Sequence, residues 1–220
     1  MSFPKSTEFN KKMPKQRLYE NLSISPAIKR LFIDQISAIY WSNKLSPATM
    51  NIAAGSTVVE IEVFRIVLIG ENISEAVLKL IDKGIPYHII FDLEYKDKHR
   101  FVAAYKEITE NGTCTLSSKY YYSDWADQCN GDLHINGLTM DAVYEGLIRQ
   151  IAVNDVTPTG DSLKEDIAES ERRKKLEAEI ARLEKQVRSE KQPKKKFDIY
   201  QEIKRLQQHL EQQRGDHHLQ

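Results

Sequence analysis

The C-terminal quarter of this 220-residue chain carries a mirror. Leu176, Ile180, Leu183 and Val187 are spaced 4, 3 and 4 residues apart, and Ile199, Ile203, Leu206 and Leu210 repeat that spacing. Each set is a short seam of the a/d kind that helices use to zip together. In an antiparallel helical hairpin, facing residues lie equally far from the turn. Val187 then faces Ile199, Leu183 faces Ile203, Ile180 faces Leu206 and Leu176 faces Leu210, and every pair is centred on residue 193, which is Pro193. A proline inside a helix loses a hydrogen bond and clashes with the preceding turn, at a cost of about 3 kcal/mol. The breaker therefore stands where the mirror requires a reversal. The spacing predicts an intrachain hairpin over 162–214 that turns near 193. The alternative for the same residues is one longer helix, kinked at Pro193, in an intermolecular coiled coil. Four aliphatic layers bury little area at about 25 cal/mol per Å², so the hairpin is marginal alone and draws stability from the core or a partner.

Upstream, the composition changes. Residues 154–161 (NDVTPTGD) form a turn-rich linker. Beyond it Glu, Lys, Arg, Gln and Leu dominate, the composition of long helices. Charge divides the chain in the same way. Residues 1–20 hold five basic and two acidic groups, and 161–220 hold fifteen and thirteen. Since the whole chain has 32 of each sign, 21–160 keeps twelve basic and seventeen acidic groups. An acidic core of net −5 thus lies between ends of net +3 and +2. The organisation expected is a basic arm over 1–20, a core domain over 21–153, the linker 154–161, the hairpin 162–214 and a frayed tail over 215–220. Zero net charge argues against binding nucleic acid by bulk charge alone, but leaves room for a local patch. Two cysteines exclude a disulfide scaffold. No apolar run approaches the roughly 20 residues of a membrane span, and Met1–Glu20 has no apolar signal core. A soluble, cytoplasmic protein without a membrane partner is expected.

The core reads as α-β-α-β-β-β-α. Ser25-Pro26 starts a helix that Ile28, Leu31, Phe32, Ile36, Ile39 and Tyr40 continue at helical spacing. Residues 58–69 are β-branched and strand-like. Ser74 caps a short helix that Gly84 stops. Tyr87–Tyr95 and Arg100–Ile108 read as strands around the turn Lys96-Asp97-Lys98, and Asn111-Gly112 leads into a third, Thr113–Ser123. Thr139 caps a last helix with Met140, Val143, Tyr144, Leu147 and Ile151 on one side. The fold expected is α+β: a mixed sheet of about four strands with packed helices, followed by the helical hairpin.

Candidate chemistry is sparse. Asp92, Glu94 and Lys96 have the spacing D-x-E-x-K, which on a strand puts three polar side chains on one face. With Glu60 or Glu62 from a neighbouring strand they could hold Mg²⁺ and activate water, as in restriction-type nucleases. A helix after the first core strand departs from that architecture, and alternation beside a charged turn is ordinary for a solvent-facing strand. Lys191, Lys194, Lys195 and Lys196, with Arg188, cluster at the predicted tip, and Lys5, Lys11, Lys12 and Lys15 punctuate the arm. The tip could touch phosphates or a partner, with a turn kept solvated by its lysines the commoner case; the arm could hold an anion or dock on another subunit, with packing along the core the commoner case. Tyr120, Tyr121, Tyr122 and Trp125 could stack bases, with strand packing the commoner fate. His88 reads as a structural imidazole. His134 lies near Cys129 and Asp132, at a spacing too loose for zinc. There is no phosphate-binding loop, dinucleotide fingerprint or nucleophile elbow. No cofactor, metal or catalytic residue is assigned.

Four stretches carry a family resemblance: Phe3–Lys11 (FPKSTEFNK) with Pro14-Lys15, Ile85–Phe91 (IPYHIIF), Leu138–Ile151 (LTMDAVYEGLIRQI) and Glu190–Phe197 (EKQPKKKF). In that order they resemble the bacterial domain-of-unknown-function family four-three-nine-one along nearly the whole chain. The resemblance brings no active site. It implies a genetic setting beside DNA methyltransferase and helicase genes of restriction or phage-defence type. The function expected is an accessory, non-catalytic adaptor whose partner is a larger helicase or methyltransferase subunit of the same operon. DNA backbone is a further contact, and self-association through the coiled coil a further route. The alternatives are the Mg-dependent nuclease and a free-standing DNA-binding module.

Overall fold

The computed structural model describes residues 3–20, 24–108, 114–127, 133–158 and 162–215. Asn111-Gly112, Cys129, Asp132 and the tail 216–220 lie outside the described residues. The chain forms two compact units, 1–154 and 155–220.

The first unit is α+β. Its elements are β1 (Glu8–Met13), α1 (Lys15–Glu20), α2 (Pro26–Gln35), β2 (Ile36–Leu45), α3 (Pro47–Met50), β3 (Ile61–Leu68), α4 (Glu75–Gly84), β4 (His88–Tyr95), β5 (Lys98–Ile108), β6 (Cys114–Tyr122), β7 (Ala126–Asp127) and α5 (Met140–Ile151). The sheet runs β1-β2-β3-β4-β5-β6, with β7 also paired to β5. Only β3 and β4, joined through α4, are parallel; the other pairs are antiparallel. It is therefore a mixed sheet of seven strands among the described residues, against the four expected.

The extra strands have physical causes. The helix expected to run through Tyr40 stops at Gln35, and Ile36–Leu45 is a strand. Two register shifts, between Ile36 and Ala38 and between Trp41 and Asn43, break its period of two. Ile36 and Ile39 consequently share the core face at a spacing of three, which imitates a helix. β1 belongs to the basic segment, and its almost wholly exposed residues give no alternation to read. Lys11 and Lys12 lie on this outermost strand, a common defence of a sheet edge against unwanted pairing.

Alternation divides the sheet into two faces. Ile39, Phe64, Ile66, Phe91, Leu93, Val102 and Tyr120 face α2 and α4, which bury Phe32, Val77, Leu78 and Ile81 against them. On the other side lie Arg65, His88, Asp92, His99 and Tyr121. Part of that face meets α5: the His88 and Tyr144 rings contact edge-on at 4.3 Å. Asp141 in the first turn of α5 binds the loop before β3. It accepts from the backbone N–H of Ser56 (2.6 Å), Thr57 (3.1 Å) and Val58 (2.8 Å), and from both hydroxyls at 2.9 Å. Burial opposes its ionisation, yet these donors hold its pKa down at about 2. Gly55 is required here, because a Cβ would stand 2.6 Å from the Asp141 carboxylate.

The second unit is a helical region: α6 (Leu163–Ser189), capped by Ser162, and α7 (Pro193–Gly215). Pro193 is the first residue of α7, where its missing N–H costs nothing. Ile180, Leu183, Val187 and Ile203 form a buried aliphatic cluster, and Ile199, Leu206 and Leu210 pack on it. Leu176 is half-buried and is not part of the cluster. No described helix is long and apolar enough to cross a membrane.

Candidate functional site

The polar half of the second sheet face lines a pocket in the first unit. β3 and β4 are in parallel register with Arg65 opposite Asp92, and β5 folds back so that His99 stands opposite Glu94. Asp92 and His99 are both buried and meet through Oδ1 and Nδ1 at 3.2 Å. Beside them Arg65 Nη1 lies 3.5 Å from Glu94, and its guanidinium stacks 4.7 Å over the Tyr40 ring. β2 adds Ser42, whose hydroxyl donates to the Val63 carbonyl at 3.0 Å, and Asn43, whose Nδ2 donates to Thr7 Oγ1 at 2.9 Å. The N-terminal segment closes the far side with Phe3, Glu8 and Asn10. Asn10 sits in the left-handed region at φ 45°, within the bulge of β1.

The acids of the nuclease reading do not converge. Asp92 and Glu94 share this pocket, but Lys96 occupies the exposed β4–β5 turn at φ 55° and lies over the Tyr95 ring at 5.0 Å. Glu62 has the register of Ile89, and so belongs to the opposite face of the sheet from Asp92. There Glu60 pairs with Lys44 at 2.6 Å. Among the described residues no three His, Cys, Asp or Glu side chains come together to hold a metal ion.

That second acid pair is electrostatically divided. Burial first, and the adjoining Glu60 second, push the Glu62 carboxyl up to about 8. Burial would raise Glu60 too, but Glu62 and Lys44 together hold it below the usual carboxylate range. Glu62 thus keeps a proton at neutral pH. The folded state binds more protons than the unfolded between about pH 4.5 and 8, so this contribution is complete at low pH and is lost as pH rises through 8. Glu62→Gln is expected to remove that slope. The variant should match the wild type near pH 5 and exceed it by of order 1–3 kcal/mol above pH 8, discounted for partial screening, as read by urea unfolding at both values.

The remaining candidates are dispersed. Lys15 Nζ donates to the Ile36 carbonyl at 2.6 Å, Lys11 lies 6.0 Å from the Phe9 ring centroid, and Lys5 and Lys12 are exposed. In the second unit Arg188, Lys191, Lys194, Lys195 and Lys196 are all exposed around the α6–α7 connection. Tyr120 and Tyr121 are buried strand residues, while Tyr122 and Trp125 sandwich Arg100, each at 4.7 Å. His88 is structural: burial lowers its pKa to about 4, and its Nε2 donates to the Lys106 carbonyl at 3.0 Å. His99, Arg65, Ser42 and Asn43 escape a sequence reading, because only strand register brings them beside Asp92.

No curated protein and no solved structure matches the chain. A family model described as a domain of unknown function matches residues 1–210. The chain belongs to that family, DUF4391.

Proposed function

We propose that the protein is an accessory subunit of a bacterial restriction or phage-defence assembly, holding a larger helicase or methyltransferase partner through its C-terminal helices. In this reading α6 and α7 form an antiparallel hairpin, a short coiled coil whose turn touches the partner and adjacent DNA backbone. The observation that carries it is the outer face of α7. Phe197 and Tyr200 are 61% and 55% exposed, one turn apart, and Lys194, Lys195 and Lys196 precede them. The aliphatic seam of the same helix is already used against α6, so these aromatics are not needed to close the pair. Beside Tyr200 runs a groove of about 670 Å³ lined by Val187, Arg188, Ile203, Lys204 and Gln207. Of the two aromatics, Tyr200 lines that groove, whose rim also carries Glu184; exposed aromatic side chains are the ones that most often anchor interfaces.

The test is co-purification from cells that express the neighbouring genes. The full-length chain should bring down a helicase or methyltransferase subunit. Changing Phe197 and Tyr200 to Ala together should weaken capture by about 2 kcal/mol or more, roughly thirtyfold in Kd, and leave the circular dichroism spectrum unchanged. Changing Lys194, Lys195 and Lys196 to Glu should abolish salt-sensitive DNA retention by the complex. Repeated recovery of the chain alone at low salt would overturn the reading.

A further inference from the structure

Glu62 is 1% exposed, and neither of its carboxyl oxygens has a hydrogen-bond partner. An unpaired buried polar group is costly, and in a folded protein it calls for an explanation. Phe64, two residues on, belongs to the core under α2 and α4, so Glu62 points the same way. The neighbours on that face are few. From β2, Lys44 stands opposite Glu62 in the register and is tied to Glu60 at 2.6 Å; Tyr87, just before β4, acts on Lys44 in turn. From β4 comes Ile89, and α2 and α4 contribute Phe32, Val77, Leu78 and Ile81 to this face. Trp41 of β2 supplies one more donor. Its Nε1 is also buried and unpartnered, and its ring lies 6.0 Å from Phe64 on the same face. That ring also meets Phe9 of β1, at 4.3 Å between centroids.

We propose that Glu62 is a switch on the N-terminal edge of the sheet: on losing its proton to solvent it takes the Trp41 N–H as donor, turns that ring from Phe9 and loosens β1. As a neutral acid, Glu62 tolerates the Glu60 carboxylate beside it and leaves Lys44 to Glu60. As an anion it needs donors. Lys44 is already engaged, and one ammonium between two carboxylates leaves like charges facing each other. The indole N–H is the unengaged donor, and a bond from it to a carboxylate is of the stronger, charge-assisted kind. Burial and Glu60 favour the neutral form, while Trp41 and Lys44 favour the charged one. The movement reaches β1 because Phe9 is one of the few side chains that seat it. Five of its six residues are exposed. The strand carries Lys11 and Lys12, so the switch sets how firmly a basic edge strand is held.

The chain has two tryptophans, Trp41 and Trp125. Full-length protein carrying Trp125→Phe and fluorotryptophan at position 41 gives one fluorine resonance to follow between about pH 6.5 and 9.5. It should titrate with a midpoint of about 8, and Glu62→Gln should abolish the titration. Glu60→Gln should lower the midpoint by about one pH unit, because it removes the neighbouring charge and frees Lys44. Trypsin supplies the second readout, since cleavage inside a paired strand reports how often the strand opens. Cleavage after Lys11 or Lys12 should be about fivefold faster in the wild type than in Glu62→Gln at about pH 9, and equal in the two at about pH 6.5. A merely structural Glu62 would shift the melting temperature and leave both the Trp41 resonance and the cleavage ratio independent of pH. A resonance constant over that range, a titration that survives Glu62→Gln, or a cleavage ratio near one at both pH values overturns the proposal. Should Glu62→Gln fail to fold, Glu60→Gln decides: a lowered midpoint supports the switch, and an unmoved one overturns it.

Discussion

Replacing Lys106 with methionine is expected to cost the first unit about 3–5 kcal/mol, a large share of the 5–15 kcal/mol that stabilises an ordinary domain. The ammonium group is buried, its side chain 1% exposed. It donates to three carbonyls near the end of α4, those of Asp82 (3.0 Å), Ile85 (2.8 Å) and Tyr87 (2.7 Å). The Asp82 carbonyl is one of the orphan acceptors of the α4 C-terminus, those of Ile85 and Tyr87 belong to the link into β4, and a cation there also meets the negative end of the helix dipole. Asp82 stands 3.7 Å away and takes a hydrogen bond from the Tyr120 hydroxyl at 2.7 Å. Methionine fills the volume and satisfies none of these groups, so the variant leaves carbonyls and a carboxylate buried without their cation. A pH arm identifies the mechanism. Burial raises Asp82 to about 6 even with Lys106 and Tyr120 opposing it. A raised carboxylate pKa means stability is gained as pH falls from about 6 toward 3.8. Without Lys106 the pKa rises further, so the loss measured by urea unfolding should be smaller at pH 5 than at pH 8. His88 has the opposite slope, losing stability as pH falls from 6.5 toward 4, and because the Lys106 charge helps to hold its pKa down, removing that charge adds to the same pH difference. A cost below about 1 kcal/mol at pH 8 would show that water replaces the ammonium without penalty.

Much of this fold was legible where each residue's local role and its tertiary role agree. Ser25, Ser74 and Thr139 cap their helices as their positions suggest, and the β4–β5 hairpin turns at its charged residues. Legibility ends at bulges and at register. The shift in β5 between Ala104 and Lys106 breaks alternation, so Lys106 sits buried in a strand where a lysine reads as solvent-facing. The same bulge leaves backbone groups that α5 and β4 complete: Lys106 N–H donates to the Tyr144 hydroxyl at 2.9 Å, and the Lys106 carbonyl accepts from His88. The candidate cavity divides in the same way. Asp92 and Glu94 share a face by simple alternation, so their pairing follows from one strand. Glu60 and Glu62 were plausible partners only until the parallel register set Glu62 opposite Ile89. His99, Arg65 and Asn43 join through pairing between strands, which no spacing within one segment encodes.

Leu183→Asp is expected to abolish most of the helical signal of residues 163–215 while the first unit keeps its own thermal transition. Leu183 is 8% exposed and lies in a cluster of only four buried aliphatics, with Ile180, Val187 and Ile203. Truncating a buried leucine already costs about 2–5 kcal/mol, and a carboxylate placed among aliphatics adds a desolvation penalty. The flanking surface is charged and the seam short, so little remains to hold α6 against α7. Most helical stability in a protein comes from packing an apolar face, and that face is what this change removes. The first unit is a separate compact body, so its cooperative transition should persist at lower total ellipticity. Lys185→Asp, two residues away on the exposed side, supplies the control and should shift the melt by less than about 0.5 kcal/mol. Concentration then decides between the two ways of closing the seam. In a hairpin within one chain the melting temperature of the wild type is independent of protein concentration, and the sedimenting mass is that of the monomer. In a coiled coil between chains the melting temperature rises with concentration by mass action, and Leu183→Asp would lower the mass as well as the ellipticity. A concentration-dependent melt would move the proposed docking face from a single protomer to a dimer, with Phe197 and Tyr200 presented twice.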